Sequence, residues 1–228
     1  MSALVGIIGA MDCEISELLA NMTAVEEFKL SGSTFYKGFL ANKDVVVVKS
    51  GVGKVFASIA TQTLILYFGA RFIINIGVAG SVSNLKIGDI ALSMGVVQHD
   101  MDTTAVGDEK GLISGINKVV LEADSALVAT VETALTELGF NYQKGIIASG
   151  DIFVADSALK ESIRGNFNAL CAEMEGASVG QTAYVNNIPF VVIRSISDDG
   201  EHQVEFFEFA KSSAKKASEV LIKTLSIL

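Results

Sequence analysis

Three carboxylates stand where a chain of alternating strands and helices would carry chemistry. Glu14 falls in the first turn after the apolar run Leu4–Gly9, Glu175 follows the apolar residues Ala169–Ala172, and Asp198 closes the run IPFVVIRSIS. Acids at such strand ends are candidates for proton transfer, and open α/β sheets bind ligands at the carboxyl edge of their strands. Taken singly, each acid has an ordinary reading. Glu14 and Glu175 suit the positive end of a helix dipole, and Asp198-Asp199-Gly200 makes a surface turn. As a set, three acids just past three predicted strands favour a common site. Glu173 shares the stretch CAEMEGASVG with Glu175 and has the weaker claim. It either lines a pocket through its backbone or is a solvated acid near a helix start.

Glycines mark the same edge. Gly9, Gly51, Gly77, Gly80 and Gly150 all fall at or near the ends of predicted strands. GIIGAM is G-x-x-G rather than the dinucleotide fingerprint, and GVGK lacks the spacing and the Ser/Thr of a P-loop. Each alone is a tight strand-to-helix turn; together they point to a ligand edge. QHDMD offers His99, Asp100 and Asp102 as metal ligands, but alternate residues of an extended segment face opposite ways. His202, the other histidine, has no carboxylate at helical spacing to complete a set. No metal is expected, and neither a Ser–His–Asp order nor G-x-S-x-G is present.

The elements that position these residues follow from periodicity. Leu4–Gly9 reads as a buried strand, with Asp12 as N-cap of a helix through Leu19. Thr34–Leu40 and Asp44–Lys49 read as a hairpin turning near Asn42-Lys43. Val55, Phe56, Ile59, Ala60, Leu64 and Tyr67 recur at helical spacing. Phe72–Gly77 is a strand followed by the glycine turn GVAGS, and Ile87–Gln98 is a long extended segment. A helix through Leu127, Val131 and Leu138 stops at Gly139. Strands over Gly145–Ser149, Ala169–Ala172 and Pro189–Ser197 follow, with a helix from about Glu175 to Tyr184 between the last two. Phe206, Phe209, Ala210, Ser213, Ala217, Val220, Leu221 and Leu225 share one face of a final helix. With one early hairpin, this is a mixed sheet with helices on both faces, in one domain.

Composition narrows the function. The 228 residues include 17 basic and 26 acidic side chains, a net charge of −9. That opposes a phosphate backbone, and no Lys/Arg cluster offsets it, so nucleic acid is not a partner. No apolar run approaches the ~20 residues that span a bilayer. MSALVGIIGAMDCE has no basic n-region or cleavage pattern, so no signal peptide is expected there. Cys13 and Cys171 form no C-x-x-C and read as small buried thiols in a reducing cytoplasm.

Seven spaced motifs carry a more specific likeness. GIIGAMDCE, SGVGKV, GVAGS followed by IGDI, QHDMD, ASGDIFV, AEMEGASV and RSISDD occur in that order from Gly6 to Asp199. With them the chain resembles the nucleoside phosphorylase/hydrolase family and, within it, the 5′-methylthioadenosine/S-adenosylhomocysteine nucleosidases, over essentially its whole length. The resemblance implies a single α/β domain, residues 1–228, with a mixed, twisted, barrel-like central sheet flanked by helices, nucleoside phosphorylase-like, and a homodimer. It implies hydrolysis of the bond between adenine N9 and ribose in 5′-thio-substituted adenosines, without a cofactor. Such an activity serves methionine salvage and the recycling of S-adenosylmethionine by-products.

The same resemblance implies residue roles. Asp198, oriented by Ser197, protonates adenine N7, which near neutral pH needs a carboxyl whose pKa is raised. Glu14 holds and deprotonates the attacking water, and Arg194 helps to order both. Glu175 accepts hydrogen bonds from the ribose hydroxyls, beside the positive charge that develops on the sugar. Met174 packs on the sugar, Phe153 stacks on adenine, and the Val154 backbone reads the base edge. Met11, Val52 and Phe206 line the ribose and 5′-thio pocket, and Gly80 lets the backbone approach the ligand. Val78 stands where many members have serine. Members with GVAGS exist, and some accept aminodeoxyfutalosine. In the loop after QHDMDTT, which lends hydrophobic residues to the second subunit's 5′ pocket, Val106 and Ser114 replace a common phenylalanine and proline.

Two alternatives remain. A phosphorylase would use phosphate, but related bacterial enzymes place an arginine and a serine where this chain has Asn75 and Val78, and Glu14 would repel the anion. An inactive adenosine-thioether binding protein would have no reason to keep Glu14, Glu175 and Asp198 together.

Overall fold

Short β-branched runs become strands here because both of their faces can be covered. A computed structural model describes residues 3–199 and 203–228; Gly200 and His202 lie outside them. The first strand, β1 (Val5–Gly9), is buried at every residue. Alternate residues of β1 and β4 (Lys43–Lys49) face opposite helical layers. Ile8, Val46 and Val48 pack with Ala57, Ala60 and Leu64 of α2 (Lys54–Leu66) and with Ala177 and Ala183 of α5 (Gly176–Val185). Ile7, Val45 and Val47 pack on the other side with α1 (Asp12–Asn21), α3 (Ser125–Leu138) and α6 (Gln203–Ile227).

The sheet closes on itself. Strand β5 (Phe72–Ser81) pairs with β1, with β9 (Ala169–Glu173) and with β10 (Phe190–Asp198). From β10 the ladder runs through β6 (Ile90–Gln98) and β8 (Tyr142–Ser149) back to β9 and β5, a barrel-like ring. From β1 it continues as an open wing through β4, β3 (Ser33–Leu40) and β2 (Thr23–Leu30). The short β7 (Leu121–Glu122) pairs with β6. The architecture is a single α/β domain with a closed mixed sheet, as the family resemblance implies.

Several elements differ from their sequence reading. GVAGS is not a turn: β5 continues through it, paired with β10 as far as Gly80↔Asp198. Asp198 accordingly ends a buried strand instead of starting a surface turn. Asp12 is the first helical residue of α1, whose N-cap is Met11. Cys13 is only partly buried, whereas Cys171 is fully buried, and both are free thiols. The periodicity passed over three elements, one of them the two-residue β7. Edge strand β2 buries little, so it carries no apolar signal. Helix α4 (Ser157–Phe167) keeps only Ile163 fully buried and is marked instead by its Asp156 cap. The hairpin forms as read, but its two-residue loop is Ala41-Asn42, one residue before the expected Asn42-Lys43. Both take positive φ, the twist such a loop requires, which suits Asn42 but not the type of Ala41.

Candidate active site

The carboxyl ends of β1, β8, β9 and β10, with the far half of β5, surround a cavity of about 280 Å³. The three acids singled out by their spacing, Glu14, Glu175 and Asp198, all line it and are all buried. Met11, Val52, Val78 and Gly80 line it too, as do Phe153, Val154, Glu173, Met174, Ser197 and Phe206. Ala10, Ala79, Ile152 and Ala172 complete the wall. These four are small or aliphatic residues with no chemical signature, so spacing alone did not single them out. Arg194 stands behind the wall rather than in it. Among the described residues, no lysine or arginine lines the cavity.

Glu14 projects from the first turn of α1 back over the strand ends. Its Oε2 accepts from the backbone N–H of Ala10 at 2.6 Å and of Met11 at 2.9 Å, and its Oε1 accepts from the Val78 N–H at 3.0 Å. The acid therefore does satisfy helix-start amides, as its ordinary reading held, while facing the cavity. Burial pushes its pKa up, opposed by the nearby Arg194 guanidinium and by these three donors. Gly77 makes this approach possible, since a Cβ there would overlap both Glu14 Oε1 and Arg194 Nη1.

Glu173 and Glu175 are unequal in a way their sequence did not show. Glu173 is buried and not solvated, and its carboxylate is fully engaged. It accepts from the backbone N–H of Glu175 at 3.1 Å and of Gly176 at 2.8 Å, from the Ser149 hydroxyl, and from Arg194 Nη2. The helix-start role assigned to Glu175 thus falls to Glu173, which serves the first amides of α5. Glu175 is left with one backbone donor, the Gly53 N–H at 2.9 Å, and lies 3.6 Å from the Arg194 guanidinium. Its pKa is pushed up to about 8, by burial first and by the charge of Glu173 second, against Arg194 and the Gly53 N–H.

Arg194 is fully buried in β10 and ties these acids together. Its Nη2 also donates to Asn75 Oδ1 at 2.6 Å, and the Asn75 amide donates in turn to the Ile8 carbonyl at 2.9 Å. Burial disfavours its charge, but Glu173, Glu175 and Glu14 outweigh that and raise its pKa. Asp198 sits at the end of β10, beyond a register shift, and the Ser197 hydroxyl donates to its Oδ2 at 2.9 Å. Across the mouth, the Phe153 and Phe206 rings meet edge-to-face with centroids 5.4 Å apart.

QHDMD turns inward. His99 is buried, its pKa lowered by that burial, and Asp100 pairs with Lys54 at 2.7 Å. Among the described residues, no three histidine, cysteine or acidic side chains are grouped to hold a metal ion.

The model of the phosphorylase superfamily matches residues 4–226. The 5′-methylthioadenosine/S-adenosylhomocysteine nucleosidase of Staphylococcus carnosus is 38% identical over 99% of this chain and all of its own length. The S-adenosylhomocysteine nucleosidase of Streptococcus pyogenes, solved in complex with 5-methylthiotubericidin, superposes with a TM-score of 0.96. It is 36% identical and covers 100% of this chain and 98% of its own. The futalosine hydrolase of Helicobacter pylori gives the same TM-score at 35% identity, covering 100% of this chain and 99% of its own.

Proposed function

The chain belongs to the phosphorylase superfamily and, within it, to the 5′-methylthioadenosine/S-adenosylhomocysteine nucleosidases, and from that membership and the cavity we propose that it hydrolyses the N-glycosidic bond of these two nucleosides. The products are adenine and the 5′-thio-substituted ribose. The observation that carries the choice of water over phosphate is the cavity wall. It holds four buried carboxylates, Glu14, Glu173, Glu175 and Asp198, and, among the described residues, no lysine or arginine that would receive a phosphate.

In the proposed reaction the C1′–N9 bond breaks with its electron pair going to adenine, and Asp198 delivers a proton to N7 so that adenine leaves neutral. The Ser197 hydroxyl supports this role by fixing the Asp198 carboxyl. Water attacks C1′ and gives a proton to Glu14. The raised pKa of Glu14 makes it a stronger base than an exposed glutamate. Arg194 Nη1 makes no hydrogen bond among the described residues and lies beside Glu14 over Gly77, which supports a part in ordering that water. Glu175 receives the ribose hydroxyls, and its charge faces the oxocarbenium-like sugar. Met174 packs on the sugar. Phe153 and the Val154 backbone hold the base, and Met11, Val52 and Phe206 border the ribose and the 5′ tail.

The Helicobacter pylori futalosine hydrolase, alike over the whole chain, favours a second substrate, aminodeoxyfutalosine. It differs at the 5′ end, where Val52 and Met11 stand. We assign the chain to the cytoplasm and to a homodimer in methionine salvage. Exposed Val55, Phe56 and Val106 support the dimer. Among the described residues, no helix is long and apolar enough to cross a membrane.

Adenine release from methylthioadenosine in phosphate-free buffer tests the reading. Free 5-methylthioribose is the expected second product. Turnover that begins only when phosphate is added, with a ribose 1-phosphate as product, would make the protein a phosphorylase. Binding without release would leave it a nucleoside-binding protein.

A further inference from the structure

The motif QHDMD has no part in the chemistry above, yet its side chains reach two loops of the site. Lys54 Nζ donates to Asp100 Oδ1 at 2.7 Å and to Gln98 Oε1 at 3.0 Å. Asp100 Oδ2 accepts the Asp151 backbone N–H at 2.9 Å, and Asp151 Oδ1 accepts the Lys54 backbone N–H at 2.8 Å. Three residues from three separate segments thus close a ring of hydrogen bonds. The side chains of Lys54 and Asp100 are less than one-fifth exposed, so the pair is screened less than a surface ion pair.

This ring lies one peptide away from the substrate pocket on both sides. Gly53, next to Lys54, supplies the one backbone N–H that holds the Glu175 carboxylate. Ile152 and Phe153, next to Asp151, form the cavity wall. Gly53 takes φ +104°, a conformation other residues rarely adopt, so its N–H points at Glu175 only while its neighbours hold the loop there. Gly150 lets the motif approach, because a Cβ there would overlap His99 Nε2.

We propose that the Lys54–Asp100 pair is a clasp that positions Glu175, through the Gly53 N–H, for the ribose of the substrate. Lys54 and Asp100 touch no substrate and are positioning residues. The inference rests on the reading of the cavity as a nucleoside site. Besides the Arg194 guanidinium at 3.6 Å, the Gly53 amide is the one backbone group that fixes Glu175, so its carboxylate shifts if that amide moves. Lost placement of one group by an ångström weakens recognition steeply.

Five proteins test it: the wild type, Lys54→Met, Lys54→Arg, Glu175→Gln and the double variant of Lys54→Met with Glu175→Gln. Each is titrated calorimetrically with 7-deaza-methylthioadenosine, which lacks the N7 that must be protonated. Lys54→Met is expected to weaken binding ~10-fold in the wild type but no more than ~3-fold in the Glu175→Gln background, because coupled residues are non-additive. Lys54→Arg, which keeps the charge, is expected to recover most of the loss. Equal losses in both backgrounds overturn the clasp. Should Lys54→Met fail to fold, Asp100→Asn breaks the ion pair while leaving an acceptor for Asp151, and the same background dependence is required of it. A wild type that neither binds the analogue nor releases adenine from methylthioadenosine withdraws the cavity reading and the clasp with it. A wild type that does both, with additive variants, withdraws the clasp alone.

Discussion

At the scale of single residues, three of the four carboxylates on one cavity meet three different surroundings. Glu14 is held by three backbone donors, Glu175 by one, and Asp198 by its neighbour's hydroxyl. If Asp198 is the acid, Asp198→Asn should reduce adenine release at least ~100-fold, in the range general-acid catalysis supplies. Binding of the 7-deaza analogue, measured by calorimetry, should stay within a few-fold. Near-normal kcat would remove Asp198 from that role. Glu175 makes a separate prediction. With its pKa pushed up to about 8, it is protonated at neutral pH in the free protein. Ribose hydroxyls donating to it favour the ionised form, so binding at about pH 7 should release close to one proton and at about pH 9 none. Calorimetry in two buffers of different ionisation enthalpy reads this directly.

The same shift has a consequence for stability. A glutamate whose folded-state pKa is raised contributes stability that is fully present below its unfolded pKa and lost as pH rises through the folded value, here about 8. Glu175→Gln should therefore melt higher than the wild type at about pH 9, with the advantage shrinking toward about pH 5. A constant difference in Tm across that window would contradict the assignment.

At the scale of elements, the departure of β5 from its sequence reading matters most. A glycine-rich segment reads locally as a turn, because glycine is the cheapest residue at positive φ. Here Gly77 and Gly80 keep negative φ and stay in register with β10. What requires the glycine at 77 is space: Glu14 from α1 and Arg194 from β10 crowd the position of the missing Cβ. Gly77→Ala should thus fold with a Tm lowered by a few degrees, since overpacking costs ~1–3 kcal/mol. Its kcat should fall ~100-fold as Glu14 and Arg194 are pushed apart. Full activity in that variant would show that the approach of the two side chains is not needed. The acid pair around Met174 is decided at the same scale. Glu173 points back into the start of α5 and Glu175 toward the cavity, a difference of side-chain direction that two residues in one short stretch do not reveal.

At the scale of the whole molecule, α2 is unusual. Its inward face carries Ala57, Ala60, Thr61 and Leu64, while Val55 and Phe56 are more than half exposed. The periodicity of this segment is helical, as its sequence indicates, but part of the apolar pattern faces away from the core. Helices seldom leave such residues in water. The stripe adjoins Val52 and Gly53 at the cavity rim, so a second copy seated there would close the 5′ end of the site. Val55→Glu should convert a dimer to a monomer in sedimentation and reduce kcat/KM while far-UV circular dichroism is unchanged. A wild type that sediments as a monomer would refute the dimer outright.

Much of this protein was legible in its residues alone. Most of the order of strands and helices, the strand edge that borders the cavity and the three acids singled out there depend on short-range periodicity and on the residue that follows each strand. Tertiary structure decided what depends on distant partners. Asn75 meets Arg194 across 119 positions of chain, and Gly53 meets Glu175 across 122. Those meetings set which glutamate faces the cavity, why Gly77 has no side chain, and why QHDMD turns inward to a lysine. Local sequence determines the conformations a segment favours. Only packing brings remote charges into one low-dielectric space, where burial and partners decide which of them can hold a proton.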